Sequence, residues 1–114
     1  MSRRDDSLLL QDMLAAARDA CSFISGRSKE DLSHDKQLKL ALLKTVEMIG
    51  EAASRVRQEI RTKYPSLPWQ DMVGMRNRLI HVYFDIDLSL LWATVKDDLP
   101  RLIRELEIIL SAKS

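Results

Sequence analysis

One stretch of eight residues holds most of the chemistry this chain could perform. Arg76-Asn77-Arg78-Leu79-Ile80-His81-Val82-Tyr83 gathers two guanidiniums, an amide, an imidazole and a phenol. A histidine titrates near neutrality and can take or give a proton, and a fixed arginine can neutralise charge that develops on a phosphate. That pair suits metal-free cleavage of RNA, in which the ribose 2′-OH is the nucleophile and the protein need not supply one. DNA lacks that hydroxyl and would be spared. The plain alternative is that His81 and Tyr83 end a helix and pack on its neighbours while Arg76 and Arg78 are solvated, because polar helix ends are ordinary.

On one regular helix, Asn77 and His81 lie about 40° apart and Arg76 and Tyr83 about 20° apart, giving two neighbouring polar stripes. Arg76 and His81 fall about 140° apart, which is awkward for joint action. Either the helix distorts near His81 or a second subunit completes the site.

The remaining composition narrows the field. With one Cys and two His in 114 residues, Cys21 cannot form an internal disulfide and the chain lacks the material for a Cys/His zinc site. A structural metal is not expected. The longest uncharged stretch, Leu88 to Val95, is far short of the roughly 20 apolar residues of a membrane span. Charges at Arg3, Arg4, Asp5, Asp6, Asp12 and Arg18 interrupt any signal-peptide-like start, so a cytoplasmic protein of one domain over residues 1–114 is expected. The formal charge of +1 conceals an asymmetry: Arg55 to His81 carries a local balance of +4, and Val82 to Glu107 one of −3. Solvated helix faces account for most of these charges; Arg78 stands apart as a candidate RNA contact.

Three Gly and three Pro among abundant Leu, Ala, Arg, Lys, Glu and Asp favour long helices, so the fold class is all-α. A first helix from about Asp5 to Phe23 carries Leu9, Leu10, Met13, Ala17, Ala20, Cys21 and Ile24 at three- and four-residue steps, with Gly26 as its stop. Arg27 to Asp35 is a connection in which Ser28 and Ser33 are both N-cap candidates, with room for a short helical turn between them. A second helix is expected from about His34 to Lys63, some 45 Å long, with Leu38, Leu42, Thr45, Ile49, Ala52, Ala53, Val56 and Ile60 as its stripe. Pro65 and Pro68 break it, and a third helix runs from Pro68 to about His81 or Tyr83. Asp85 or Asp87 caps a fourth from about Leu88 to Ser111, which Pro100 should kink or interrupt. Short connections imply antiparallel neighbours, hence an antiparallel up-down four-helix bundle.

Several single residues have two readings. Gly50, inside a helix with Ala52, Ala53 and Ser54 nearby, admits a close helix, either from a second subunit near the cleft or from the same bundle. Glu51 could orient Arg76 or His81, or could be one more solvated charge. Trp69 and Trp92 read as core anchors, Cys21 as a small buried apolar group, and His34 as exposed and unrelated to the site.

Arg76, four residues, His81, one residue and Tyr83 form an R-x4-H-x-Y pattern that resembles the HEPN superfamily, specifically the HepT-type ribonuclease toxins. Asn77 after the arginine, Met48-Ile49-Gly50-Glu51-Ala52-Ala53, Pro65-Ser66-Leu67-Pro68-Trp69 and Tyr83-Phe84-Asp85-Ile86-Asp87 resemble it too, so the likeness spans nearly the whole chain. The resemblance implies a homodimer whose composite cleft, lined by Arg76 and His81 of both subunits, cleaves RNA without a metal or other cofactor, in the manner of a type VII-like toxin. Arg76 would hold the scissile phosphate, His81 would move protons, and Asn77 would position one of them. The implied partner is an MntA-like minimal nucleotidyltransferase antitoxin that uses ATP as AMP donor and adds AMP to the motif tyrosine, here Tyr83. Bulk and phosphate charge beside His81 and Arg76 would block the substrate phosphate. The RNA substrate is unspecified, with tRNA one candidate, and the setting is prokaryotic. A non-catalytic helical binding or regulatory subunit of a nucleotidyltransferase is the alternative.

Overall fold

The computed structural model describes residues 3–80 and 85–113, and these are helical apart from short connections and one isolated bridge. Helix α1, Arg3–Ile24, buries Leu9, Leu10, Met13, Ala17 and Ala20 along its expected stripe, with Cys21 and Ile24 half-buried. Gly26 ends the turn with a φ of +73°, the left-handed region where a side chain would be strained, and Arg27 N–H returns to the Ile24 carbonyl at 2.9 Å.

The short turn expected in the Arg27–Asp35 connection is a helix, and the expected second helix is two. A short α2, Lys29–His34, starts at Ser28, whose N–H donates to Asp31 Oδ2 at 2.7 Å. His34 is exposed, as expected. Asp35 then caps α3, Lys36–Arg55, by accepting from Leu38 N–H at 3.0 Å. The helix does not run on to Lys63: Val56 and Arg57 are extended, with ψ of 132° and 151°, and a separate α4 covers Gln58–Lys63. The break is stabilised from both sides. The Asp6 carboxylate, fully buried, accepts from Arg57 Nε at 2.6 Å. Arg61 folds back over the end of α3, donating to the carbonyls of Ala53, Ser54 and Val56 at 2.9, 3.1 and 3.1 Å, in the last turn where helix termination removes the regular N–H partners. Periodicity is blind to this break because Val56 and Ile60 stay buried on either side of it.

Trp69 Nε1–H donates to the Tyr64 carbonyl at 3.0 Å and fixes the Pro-containing connection, and α5 follows over Trp69–Leu79. Ile80 is extended and pairs with Ile86 in an isolated antiparallel bridge, while Asp87 N–H donates to the Leu79 carbonyl at 2.8 Å. The third helix therefore ends at Leu79, not at residue 81 or 83. Asp87 caps α6, Leu88–Ala93, by accepting from Leu90 N–H at 3.0 Å, and α7 is Leu99–Lys113. Between them Thr94–Asp98 forms one π-helical stretch, in which Leu99 N–H reaches back to Thr94. The interruption expected at Pro100 takes this form. Proline has no N–H, and its ring would strike the carbonyl four residues back; a wider turn relieves that clash without ending the helix.

Paired contacts give the arrangement. Asp6 meets Arg57, Arg18 meets Glu107 and Cys21 lies beside the Val95 carbonyl, so α1 runs antiparallel to α3 and to α7. Glu47 meets Arg76, and Gly50 faces Met72, so α3 runs antiparallel to α5. The core is continuous through Leu10, Met13, Leu42, Ile49, Met72 and Leu106, all fully buried. Among the described residues no helix is long and apolar enough to cross a membrane.

Candidate functional site

The side chains of Arg76 and Asn77 line a groove of ≈ 740 Å³ between α1, α3 and α5. What brings α5 there is Gly50. A β-carbon at that position would stand 3.0 Å from the Met72 carbonyl oxygen, a backbone atom that cannot swing away. Its small size serves packing within one chain, and the close approach carries Val73, Arg76 and Asn77 up beside α3.

Arg76 does not stand alone. Its Nε donates to Glu47 Oε1 at 3.1 Å, with the two side chains 45% and 36% exposed. The sequence offered Glu51 either as an acid that could orient Arg76 or His81 or as one more solvated charge. Glu51 does line the groove, but the acid bonded to Arg76 sits one turn earlier. The available signal was the i, i+4 spacing of Glu47 and Glu51, which puts both on one face of α3. Choosing between them required the register of α5 against α3.

Lys44 and Arg55 also line the groove, opposed by Asp12, Glu47 and Glu51, so its charge is mixed. The basic stretch from Arg55 to His81 does not gather on one surface. Arg57 and Arg61 hold the α3 break together, Arg55 and Arg76 face the groove, and Arg78 lies in another cleft, of ≈ 410 Å³, with Met75, Arg101 and Leu102. There Arg78 is tethered to Asp71, with Nη2 3.0 Å from the backbone carbonyl and Nη1 3.5 Å from Oδ1. Met48 and Val73, 44% and 40% exposed, form an apolar rim on the Arg76 groove.

His81 and Tyr83 lie outside the described residues. The helix that carries Arg76 ends before them at Leu79, so the 140° separation of a regular helix through residue 81 does not apply. Trp69 is buried, with the Arg61 guanidinium 5.9 Å from its ring centre, and Trp92 is half-buried against the core with the Lys96 ammonium 5.8 Å away. Cys21 is half-buried rather than fully buried, and that burial pushes its thiol above the ordinary value. No group of three or more His, Cys, Asp or Glu able to hold a metal ion occurs among the described residues.

Comparison with known proteins bears directly on this groove. The family model described as "Ribonuclease HepT-like" matches residues 13–109, which include every groove-lining residue except Leu9 and Asp12. A Methanocaldococcus jannaschii protein provisionally named an RNase is 40% identical over 109 residues, covering 96% of this chain and 100% of its own. A Thermococcus cleftensis protein provisionally named a ribonuclease HepT is 41% identical over 73 residues, 64% of this chain and 66% of its own. A Caldanaerobacter subterraneus protein provisionally named an RNase is 36% identical over 87 residues, 76% of this chain and 78% of its own. No solved structure matches the chain. With the R-x4-H-x-Y pattern, an all-helical fold and a match over most of its length, this chain belongs to the HepT-like ribonuclease family of HEPN type.

Proposed function

We propose that the protein is a toxin ribonuclease that cleaves RNA at the groove carrying Arg76, with His81 supplying proton transfer. The observation that carries this reading is the placement of Arg76 and Asn77 together on the wall of an open groove, in a chain of a ribonuclease family. A base removes the 2′-OH proton, the alkoxide attacks the adjacent phosphorus, and the bond to the leaving 5′-oxygen breaks as that oxygen takes a proton. The products are a 2′,3′-cyclic phosphate and a 5′-OH. Arg76 neutralises the charge that accumulates on the phosphate oxygens, and Asn77 positions substrate or imidazole. The internal nucleophile leaves no step that calls for a metal or cofactor.

In the same reading the chain forms a single antiparallel four-helix bundle that pairs as a homodimer. The exposed Met48 and Val73 beside Arg76 favour a contact there, since covering them would also bring two copies of the site together. Two copies of His81 would then divide the acid and base roles. Regulation follows from Tyr83: an MntA-like nucleotidyltransferase antitoxin, with ATP as donor, adds AMP to its phenol and fills the space a substrate phosphate needs. Arg78, outside the groove, meets the RNA strand away from the scissile bond.

The purified protein in EDTA should cleave RNA, and Arg76→Ala and His81→Ala should each lower the rate by about 100-fold or more while remaining folded. Variants as active as the parent overturn the assignment, and a parent that cleaves no RNA while copurifying with a nucleotidyltransferase favours a regulatory subunit.

A further inference from the structure

The contact between Glu47 and Arg76 uses one edge of the guanidinium. Nε donates to Glu47 Oε1, and among the described residues the Arg76 side chain makes no other hydrogen bond or ion pair. Among the described residues none occupies Nη1 or Nη2, and these are the pair that meets two oxygens of a phosphate in parallel hydrogen bonds. Both side chains are partly exposed, so as a stabilising salt bridge the contact is worth little. Its effect lies in orientation. An arginine this exposed otherwise samples many rotamers, whereas a carboxylate on the facing helix selects those that bring Nε to α3. Gly50, one turn further along α3, sets the distance over which that reach works.

We propose that Glu47 is the positioning residue for Arg76, holding the guanidinium by Nε so that its terminal fork faces the scissile phosphate. The proposal rests on the ribonuclease reading and adds a residue to it. It carries a distinctive signature, because the same carboxylate repels the RNA backbone. Glu47 therefore opposes ground-state binding while favouring the transition state, and its removal should separate the two.

The test uses Glu47→Ala and Glu47→Gln in the full chain. Single-turnover cleavage of an RNA oligonucleotide is compared with binding of the same sequence carrying 2′-O-methyl riboses, which cannot be cleaved. Glu47→Ala should cleave about 10- to 100-fold more slowly, as expected for a displaced catalytic group, while binding the methylated RNA as tightly as the parent or more tightly. Glu47→Gln, whose amide oxygen still accepts from Nε–H, should recover most of the rate, and in an Arg76→Ala background Glu47→Ala should cost nothing further. A Glu47→Ala rate within twofold of the parent, or an equal loss in the Arg76→Ala background, overturns the proposal. If the parent cleaves no RNA, the ribonuclease reading fails separately. Nitrogen-15 NMR of the Arg76 Nε–H then reads the contact directly: faster hydrogen exchange in Glu47→Ala supports the tether, and exchange indifferent to the substitution sinks it.

Discussion

Gly50 and Met72 meet so closely that a β-carbon on the first would stand 3.0 Å from the carbonyl oxygen of the second. The α3–α5 seam is set by this pair, and so is the position of Arg76 on it. Gly50→Val should therefore cost stability by about 2–3 kcal/mol, since an overpacked seam must open. Gly50→Ala should cost less, because the gain in helix propensity, about 1 kcal/mol, offsets part of the clash. Denaturant midpoints measure the first effect. RNA cleavage should fall in both variants even where folding is retained, and full activity in Gly50→Val would show that the seam does not position the groove.

Asp6 lies fully buried with Arg57 bound to its carboxylate. Asp6→Ala leaves that guanidinium, itself part-exposed, without its inner partner, and should lower stability by about 2 kcal/mol; a wholly buried pair would lose more. Asp6→Asn should lose roughly half as much, because its amide oxygen still accepts a hydrogen bond. Equilibrium urea unfolding distinguishes these values from a neutral surface change.

Arg61 closes three carbonyls at the end of α3. Arg61→Ala should destabilise by about 1–2 kcal/mol and leave amides near residues 56–60 faster in hydrogen exchange than the rest of the core. Arg61→Lys should rescue little, since one ammonium cannot reproduce the planar spread of donors. Exchange no faster there than in the parent would mean that the break holds without this cap.

The turn around α2 is pH-sensitive. The Ser28 N–H, assisted by Arg27, holds the Asp31 carboxyl below its ordinary value; Arg27, assisted by the Leu38 N–H, does the same for Asp35. Both carboxyls ionise more readily in the folded chain than in the unfolded one. Their contribution is thus complete above the unfolded values near pH 4 and disappears as pH falls through the lower folded values. The stability difference between the parent and Arg27→Ala, small because these groups are exposed, should be present at pH 6 and close toward pH 2. A difference that stays constant over that range would rule out the coupling.

The helix stripes were legible because burial repeats every three or four residues, so Leu10, Met13, Leu42, Ile49, Leu99 and Leu106 could be assigned to the core one at a time. The cap at Asp87 was legible for a local reason as well, since it serves an N–H group three residues on; Asp35 caps α3 by the same geometry, where Ser33 was the expected cap. The break at Val56 and Arg57 was not legible, since one of the two groups that hold it, Asp6, is fifty-one positions from Arg57 and the stripe continues through it. The end of α5 at Leu79 was hidden similarly, because Ile80 leaves the helix to pair with Ile86 rather than for any stop residue of its own.

By itself the sequence determined an all-helical chain, its apolar faces, and an arginine-histidine-tyrosine spacing resembling one ribonuclease family. These are properties of residues near one another along the chain, which period, cap and motif report directly. Only the tertiary structure decided that Gly50 serves packing within the chain, that Glu47 rather than Glu51 holds Arg76, and that Arg78 turns away from the groove into another cleft. Each depends on which turn of one helix faces which turn of another. Helix register is set by the sum of contacts along a whole interface, so no local pattern around Glu47 or Arg76 could have revealed their pairing.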